Sequence, residues 1–412
     1  MGRAVYLVGG AVRDGLLGLP HRERDWVITG CTPDELLAEG YRQVGASFPV
    51  FLHPESGEEY ALARTERKQG HGYHGFSVDF HPGVTLEDDL ARRDLTINAM
   101  ARGADGRLID PFGGARDLEA RWLRHVSPAF REDPLRVLRV ARFAARLAPL
   151  GFRVHPATRD LMREIADSGE LLHLVAERLW TEIASAMAAA EPGRFIEELR
   201  DCGALAVLLP EVDRLFGVPQ APEHHPEIDT GRHVVMAMNM AARSGASPEA
   251  VFAVLLHDLG KGLTPVAEWP AHRGHEDSGT PLVEAVCERL RAPVRFRELA
   301  VTVCALHLRV HRLQELRPGT VMRLIENADL LRRPDRLTDL LDACAADYRG
   351  RAGREAAAFP QADLLRAALA AATAVQARDL DTAGLDGPAI GARLREARIA
   401  AIAAVARGNG GA

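Results

Sequence analysis

Lysine is nearly missing: of 51 basic residues only Lys68 and Lys261 are lysine. The heavy use of arginine and alanine fits a GC-rich genome, so abundant arginine is not in itself a sign of function. Each lysine, conversely, is a candidate position for a compact ammonium in place of a planar fork. No apolar run approaches the roughly 18 residues that a membrane helix needs, which excludes a helical membrane span. The opening MGRAVYLVGGAVRD meets Asp14 too soon for a secretory signal. The cysteines Cys31, Cys202, Cys287, Cys304 and Cys344 contain no CxxC pair. That argues against a zinc ribbon and predicts a reducing, cytoplasmic setting. Without an internal repeat or a heptad pattern, a solenoid and a long coiled coil are excluded. Net positive charge is lacking too; the formal charge is −6, so any polyanion site must arise from local clustering.

What is present is a 412-residue chain, 47% apolar and 26% charged, long enough for about two to four globular domains. Short β-like runs at Val5–Val8, Trp26–Thr29, Phe48–Leu52 and Tyr60–Arg64 alternate with helical stretches. From Leu118 onward helix prevails. Pro210, Pro219, Pro222 and Pro226 punctuate a linker, and a second helical region runs from His233 to about residue 330. A Gly/Pro/His-rich loop is predicted from Gly262 to Pro281, and helix resumes to about Val405. The expected class is α+β: an α/β head over 1–115, a helical neck and body over 116–225, a helical domain over 226–331 and a helical tail over 332–412. Between Arg116 and Arg146, eight arginines stand against four acids, a basic patch in an otherwise acidic molecule.

Four segments of the N-terminal half carry chemistry. In Leu7–Asp14 an apolar strand meets Gly9 and Gly10 and then a helix bearing Arg13. Glycines permit close backbone approach, and an arginine fork binds two phosphate oxygens. In Glu23-Arg24-Asp25-Trp26 two carboxylates fall on one face of a strand. They are either a solvated strand entry or a pair that Mg²⁺ neutralises together with triphosphate oxygens. Arg92-Arg93-Asp94 suits a triphosphate clamp braced by Asp94. Arg136, Arg139, Arg142 and Arg146 share a helical sector of roughly 120°; four arginines without interleaved acids look like an anion site more than a solvated face. The Gly-rich segment from Lys68 to Gly75 reads as a mobile loop or an inert surface loop.

In order, Gly-Gly-x-x-Arg, acid-x-Asp-Trp, Arg-Arg-Asp-x-Thr-x-Asn-Ala and Glu-Asp-x-x-Arg resemble the bacterial CCA-adding enzymes. These belong to the class II branch of the polymerase-β nucleotidyltransferases, and the likeness is to the type with an attached HD domain. The resemblance implies template-independent addition of the 3′-terminal CCA of tRNA from CTP and ATP. It implies tRNA as partner, no membrane, and a monomer or homodimer. Gly10 and Arg13 would hold the triphosphate, and Arg93, Arg139 and Arg142 its phosphates and sugar. Glu23 and Asp25 would hold Mg²⁺, with Glu59 as a third carboxylate, and Asp133 and Arg136 would read the base. Glu23 departs from the aspartate usual in the family and reaches about one bond further. The base-reading role has a physical basis. Cytosine and adenine each pair an exocyclic amine with a ring-nitrogen acceptor, matching one carboxylate and one guanidinium, whereas uracil and guanine reverse that polarity.

A second constellation is Leu255-Leu256-His257-Asp258-Leu259-Gly260-Lys261, preceded by His233 and followed by His272, His275, His307 and Asp347. Imidazole and carboxylate together suit a transition metal that activates water. The set resembles the HD phosphohydrolase superfamily, which implies His233, His257 and Asp258 as ligands of Ni²⁺ or another transition metal, with Asp347 as a fourth. His275 and His307 would serve a second metal or the substrate phosphate, which Lys261 would neutralise. The implied activities are 2′,3′-cyclic phosphodiesterase, 2′-nucleotidase and phosphatase. Competing readings are a poly(A) polymerase, an HD-type hydrolase with an inactive N-terminal half, and a noncatalytic RNA-binding protein.

Overall fold

The computed structural model describes residues 2–20, 24–44, 50–68 and 76–408, in two compact units. Unit 1 takes residues 1–183 and 194–208, and unit 2 takes 184–193 and 209–412.

Unit 1 is built on β1 (Ala4–Val8), which runs antiparallel to β2 (Asp25–Thr29). Beyond β2 lie β3 (Arg42–Val44), β4 (Val50–Leu52) and β5 (Glu59–Leu62). A separate hairpin is formed by β6 (Thr65–Lys68) and β7 (Phe76–Asp79), and β8 (Ala101–Arg102) and β9 (Leu108–Ile109) close the other edge. The seven-stranded sheet has the order β3-β4-β5-β2-β1-β8-β9. Alternation along β2 sorts its side chains. Val27 packs with Val8, Ala63, Val84 and Leu90, whereas Ile28 packs on the other face with Leu36, Phe51 and Leu62. Asp25 therefore shares the Val27 face, on the side of the loop that carries Arg92 and Arg93. β5 runs parallel to β2 with Asp25 opposite Glu59, while Trp26 and Tyr60 stack at 5.6 Å on the opposite face.

The neck is not helical throughout, as the sequence suggested. Trp122–Leu123 and Arg153–Val154 form a short parallel ladder, where the Arg153 guanidinium lies 5.0 Å from the Trp122 ring. The principal neck helix is Leu135–Leu147, and its apolar residues Val137, Leu138, Val140, Ala141 and Ala144 are fully buried.

Unit 2 packs the helices Thr230–Arg243, Pro248–Leu256, His275–Arg289, Val294–His311 and Arg336–Arg349. Pro248–Leu256 is apolar on all sides and is buried from Ala250 to Leu256, as a central core helix must be. The segment expected to be a loop as far as Pro281 instead enters helix at His275, with Pro281 inside it. Gly274 and Gly279 read as breakers, but Gly279 serves close packing, its Cα position facing Gly260 N and Cys304 Sγ at 3.0 Å from a would-be Cβ. Among the described residues no helix is long and apolar enough to cross a membrane.

Candidate active sites

In unit 1 a cavity of about 720 Å³ is lined by nine arginines and three carboxylates. Gly9, Gly10, Arg13, Asp25, Arg93, Asp133, Arg136, Arg139 and Arg142 all lie on its wall. Gly9 has φ 69°, a left-handed backbone that glycine adopts without strain, and it lies under the Arg93 guanidinium, whose Nη1 would be 2.8 Å from a Cβ there. Arg13 is buried; its Nε donates to Asp14 Oδ1 at 2.8 Å and its Nη1 to Asn98 Oδ1. Glu59 is exposed and not on the cavity wall, although its register places it beside Asp25. Glu23 and the segment 69–75 lie outside the described residues.

The arginine stripe is not free of acids, contrary to expectation, because acids arrive from other elements. Arg139 Nε donates to Asp94 Oδ2 at 2.7 Å, Arg142 Nε to Glu182 Oε2 at 2.5 Å, and Arg146 Nη2 to Asp14 Oδ2 at 2.8 Å. Arg136 is buried and donates to the main-chain carbonyls of Ala129 and Arg92. Arg93 is braced by Asp89 at 3.0 Å and not by Asp94. Burial alone would raise the Asp94 carboxyl, but the Arg139 guanidinium, the Asn98 amide and the Leu95 N–H hold it well below the usual carboxylate range. Asp133 Oδ1 accepts from Leu135 N at 3.1 Å, and its Oδ2 accepts from Arg178 Nη2 at 2.8 Å. Arg178, Glu182 and Phe143 were missed in the sequence. The Phe143 ring has the guanidinium carbons of Arg142 at 4.5 Å and Arg13 at 5.0 Å. The available signal was Arg178 and Glu182 at i,i+4 on one helix face.

In unit 2 the histidines and aspartates converge, all buried. Three imidazoles donate Nδ1–H to main-chain carbonyls: His257 to Val254 at 2.7 Å, His275 to His272 at 2.8 Å and His307 to Cys304 at 3.0 Å. In a neutral ring this leaves Nε2 as the lone-pair nitrogen. Those Nε2 atoms face Asp258: His257 at 3.1 Å from Oδ2, His275 at 3.2 Å and His307 at 3.7 Å from Oδ1. Lone pairs facing a buried carboxylate repel unless a cation stands among them, and Asp258 Oδ1 has no hydrogen-bond partner among the described residues. The donor set therefore fits a divalent metal. Four overlapping groups, including His233 with His257 and Asp258, and His257 with His307 and Asp347, keep their ligand atoms within 4.8 Å of one another.

His233, at the start of its helix, has Nε2 3.0 Å from Asp347 Oδ1 and Nδ1 2.8 Å from Glu227 Oε1. Burial would raise the Asp347 carboxyl, yet His311, Arg351 and His233 drive it well below its usual range. Lys261 is buried, with Nζ 2.7 Å from Asp258 Oδ2. Gly260 is obligatory: a Cβ there would lie 1.9 Å from the His275 carbonyl oxygen. Sequence reading missed His311 and Gln220, which belong to no contiguous motif.

The sequence matches the family described as Poly A polymerase head domain over residues 5–124, that described as Probable RNA and SrmB-binding site of polymerase A over 151–216, and the HD domain over 230–349. It is 59% identical over 397 residues to the Multifunctional CCA protein of Thioalkalivibrio sulfidiphilus, covering 96% of this chain and 97% of that relative. To the protein of the same name from Xanthomonas campestris it is 58% identical over 401 residues, covering 97% and 98%. Among solved structures it is similar to the CCA-adding enzyme of Bacillus stearothermophilus in complex with CTP. The TM-score is 0.65 and identity 25%, with 99% of this chain and 90% of that one covered. The Thermotoga maritima CCA-adding enzyme complexed with tRNA(CCA) shares the fold at a TM-score of 0.61 and 19% identity, covering 98% and 90%.

Proposed function

Because the chain belongs to the multifunctional CCA protein family, we propose that it builds and repairs the 3′-terminal CCA of tRNA from CTP and ATP, without a nucleic-acid template. The observation that carries this reading is the single cavity in which Asp25 faces nine arginines. Such a surplus of guanidinium suits a triphosphate and the end of an RNA strand. Arg13, Arg93, Arg139 and Arg142 grip phosphates and sugar, each oriented by a neighbouring acid or amide. Gly9 and Gly10 let the phosphates approach the backbone. Asp25, with Glu23, would hold Mg²⁺, which when bound activates the attacking 3′-hydroxyl and stabilises the departing pyrophosphate; Glu59, beside Asp25 in register but off the cavity wall, is the candidate third carboxylate.

Asp133 accepts from the exocyclic amine of C or A, and Arg136 donates to the adjacent ring nitrogen. Arg178 holds the Asp133 carboxylate, and the Ala129 and Arg92 carbonyls hold the Arg136 fork. Rigid placement of both partners is what hydrogen-bond selection needs.

The second site we assign to hydrolysis of phosphate esters: 2′,3′-cyclic phosphodiesterase, 2′-nucleotidase and phosphatase. His233, His257, Asp258 and Asp347 would hold Ni²⁺ or another transition metal, which supplies an activated water. His275 and His307 face the same carboxylate and bind a second ion or the phosphate. A head over 1–115, neck and body over 116–225, HD domain over 226–331 and tail over 332–412 goes with this reading, Asp347 folding back from just beyond the third boundary. The five unpaired, buried cysteines accord with a cytoplasmic protein.

The test is incubation with tRNA lacking its CCA end, Mg²⁺, CTP and ATP, followed by sequencing of the 3′ end. Addition should stop at CCA. A long tail from ATP alone marks a poly(A) polymerase, and no incorporation leaves only a hydrolase or an RNA-binding protein. His257→Ala should lose the cyclic phosphodiesterase and keep CCA addition; unchanged hydrolysis removes the HD assignment.

A further inference from the structure

Gln220 is only 2% exposed. Its loop is closed on itself, Gln220 N donating to Ile228 O at 2.7 Å. The loop is also pinned against the HD site, since His272 Nε2 donates to Pro219 O at 2.7 Å. The Gln220 Oε1 atom accepts from Lys261 Nζ at 2.5 Å, and the same ammonium reaches Asp258 Oδ2 at 2.7 Å. An ammonium can only donate, so the oxygen end of the amide must face Lys261 and its orientation is settled by chemistry. That leaves the NH₂ end committed to the other side. Gln220 Nε2 is buried and finds no acceptor among the described residues. A buried donor held in a fixed direction without an acceptor is rare in folded proteins and calls for an explanation.

We propose that Gln220 is a substrate-binding residue of the HD site, its amide N–H donating to a non-bridging oxygen of the phosphate group. Lys261 then has two tasks. It partly offsets the charge of Asp258, and it holds the Gln220 carbonyl so that the amide nitrogen is presented to the ligand. The ligand class is a phosphomonoester or cyclic phosphodiester, because an N–H donor beside an ammonium matches an oxyanion and repels a cation. This assignment rests on reading the site as a phosphohydrolase.

The test uses the full chain loaded with Ni²⁺, as wild type, Gln220→Met and Gln220→Glu. Nickel content, melting temperature and the affinity for inorganic phosphate by calorimetry are measured for each. Nickel content and melting temperature should stay at wild-type values. The phosphate Kd should rise about tenfold in Gln220→Met, the usual size of one lost bond to a charged group, and further in Gln220→Glu, where a carboxylate faces the anion. A rise below threefold in both variants overturns the proposal, as does loss of nickel together with phosphate, which marks a structural role. Wild type that binds no phosphate overturns it too. Wild type that binds phosphate but hydrolyses no 2′,3′-cyclic phosphate defeats the phosphohydrolase reading alone, while the binding comparison still decides on Gln220.

Discussion

Arg139 and Asp94 stand 45 residues apart in sequence, yet Arg139 Nε donates to Asp94 Oδ2 at 2.7 Å across a cavity wall. The pair joins the neck helix Leu135–Leu147 to the loop that carries Arg92 and Arg93. Asn98 Nδ2 donates to the other carboxylate oxygen at 3.0 Å, so both oxygens of Asp94 are satisfied. A buried carboxylate with this environment costs stability when its charge is removed.

The folded Asp94 carboxyl lies below its unfolded value of about 3.9, so its stabilisation is complete above that pH and is lost as the pH falls through it toward the folded value. Asp94→Asn should lower unfolding free energy by about 2 kcal/mol at pH 7, and the gap to wild type should narrow below about pH 4. Urea titrations at pH 7 and pH 3 check this; an equal gap at both contradicts it.

Asp133 is the candidate base reader, and its Oδ2 is already held by Arg178 at 2.8 Å. In that role, removing the carboxylate would take away the acceptor for an exocyclic amine and leave the arginines of the cavity in place. Asp133→Ala should relax discrimination against UTP and GTP by about 100-fold, more than it lowers total incorporation. Competition assays with mixed nucleotides on truncated tRNA measure both. A variant that loses rate while its residual activity keeps full selection counts against the role.

Gly260 faces the His275 carbonyl, where a Cβ would stand 1.9 Å away. Backbone must move to admit alanine, and the movement displaces Asp258 and Lys261 on the same turn. Gly260→Ala should reduce metal content at the HD site at least tenfold and lower the melting temperature of unit 2 by several degrees. Retention of nickel at wild-type stoichiometry contradicts the close packing inferred for this turn.

Much of this was legible because the motifs are contiguous. Gly9, Gly10 and Arg13 sit on one strand–turn–helix, and His257, Asp258 and Gly260 follow one apolar helix. Periodicity placed Asp25 on a strand and the four arginines on one helical sector. Partners were not legible, since they come from distant segments: Asp14 meets Arg146 across 132 residues, and Glu182 meets Arg142 across 40. Gln220 and His311 belong to no local pattern and become visible only as buried polar groups. The helix from His275 was hidden by Gly274, Gly279 and Pro281, whose local preference for turns yields to packing against Gly260.

The role proposed for the Asp25 carboxylate is to hold Mg²⁺ for nucleotidyl transfer at the arginine-lined cavity. Single-turnover addition of CMP to tRNA lacking CCA, with wild type and Asp25→Asn compared at saturating CTP and Mg²⁺, tests it most directly. The expected rate in the variant is at least about 1,000-fold lower, the scale for loss of a metal-holding charge, while CTP still binds through the arginines. A variant that adds CMP within tenfold of the wild-type rate would place the chemistry elsewhere.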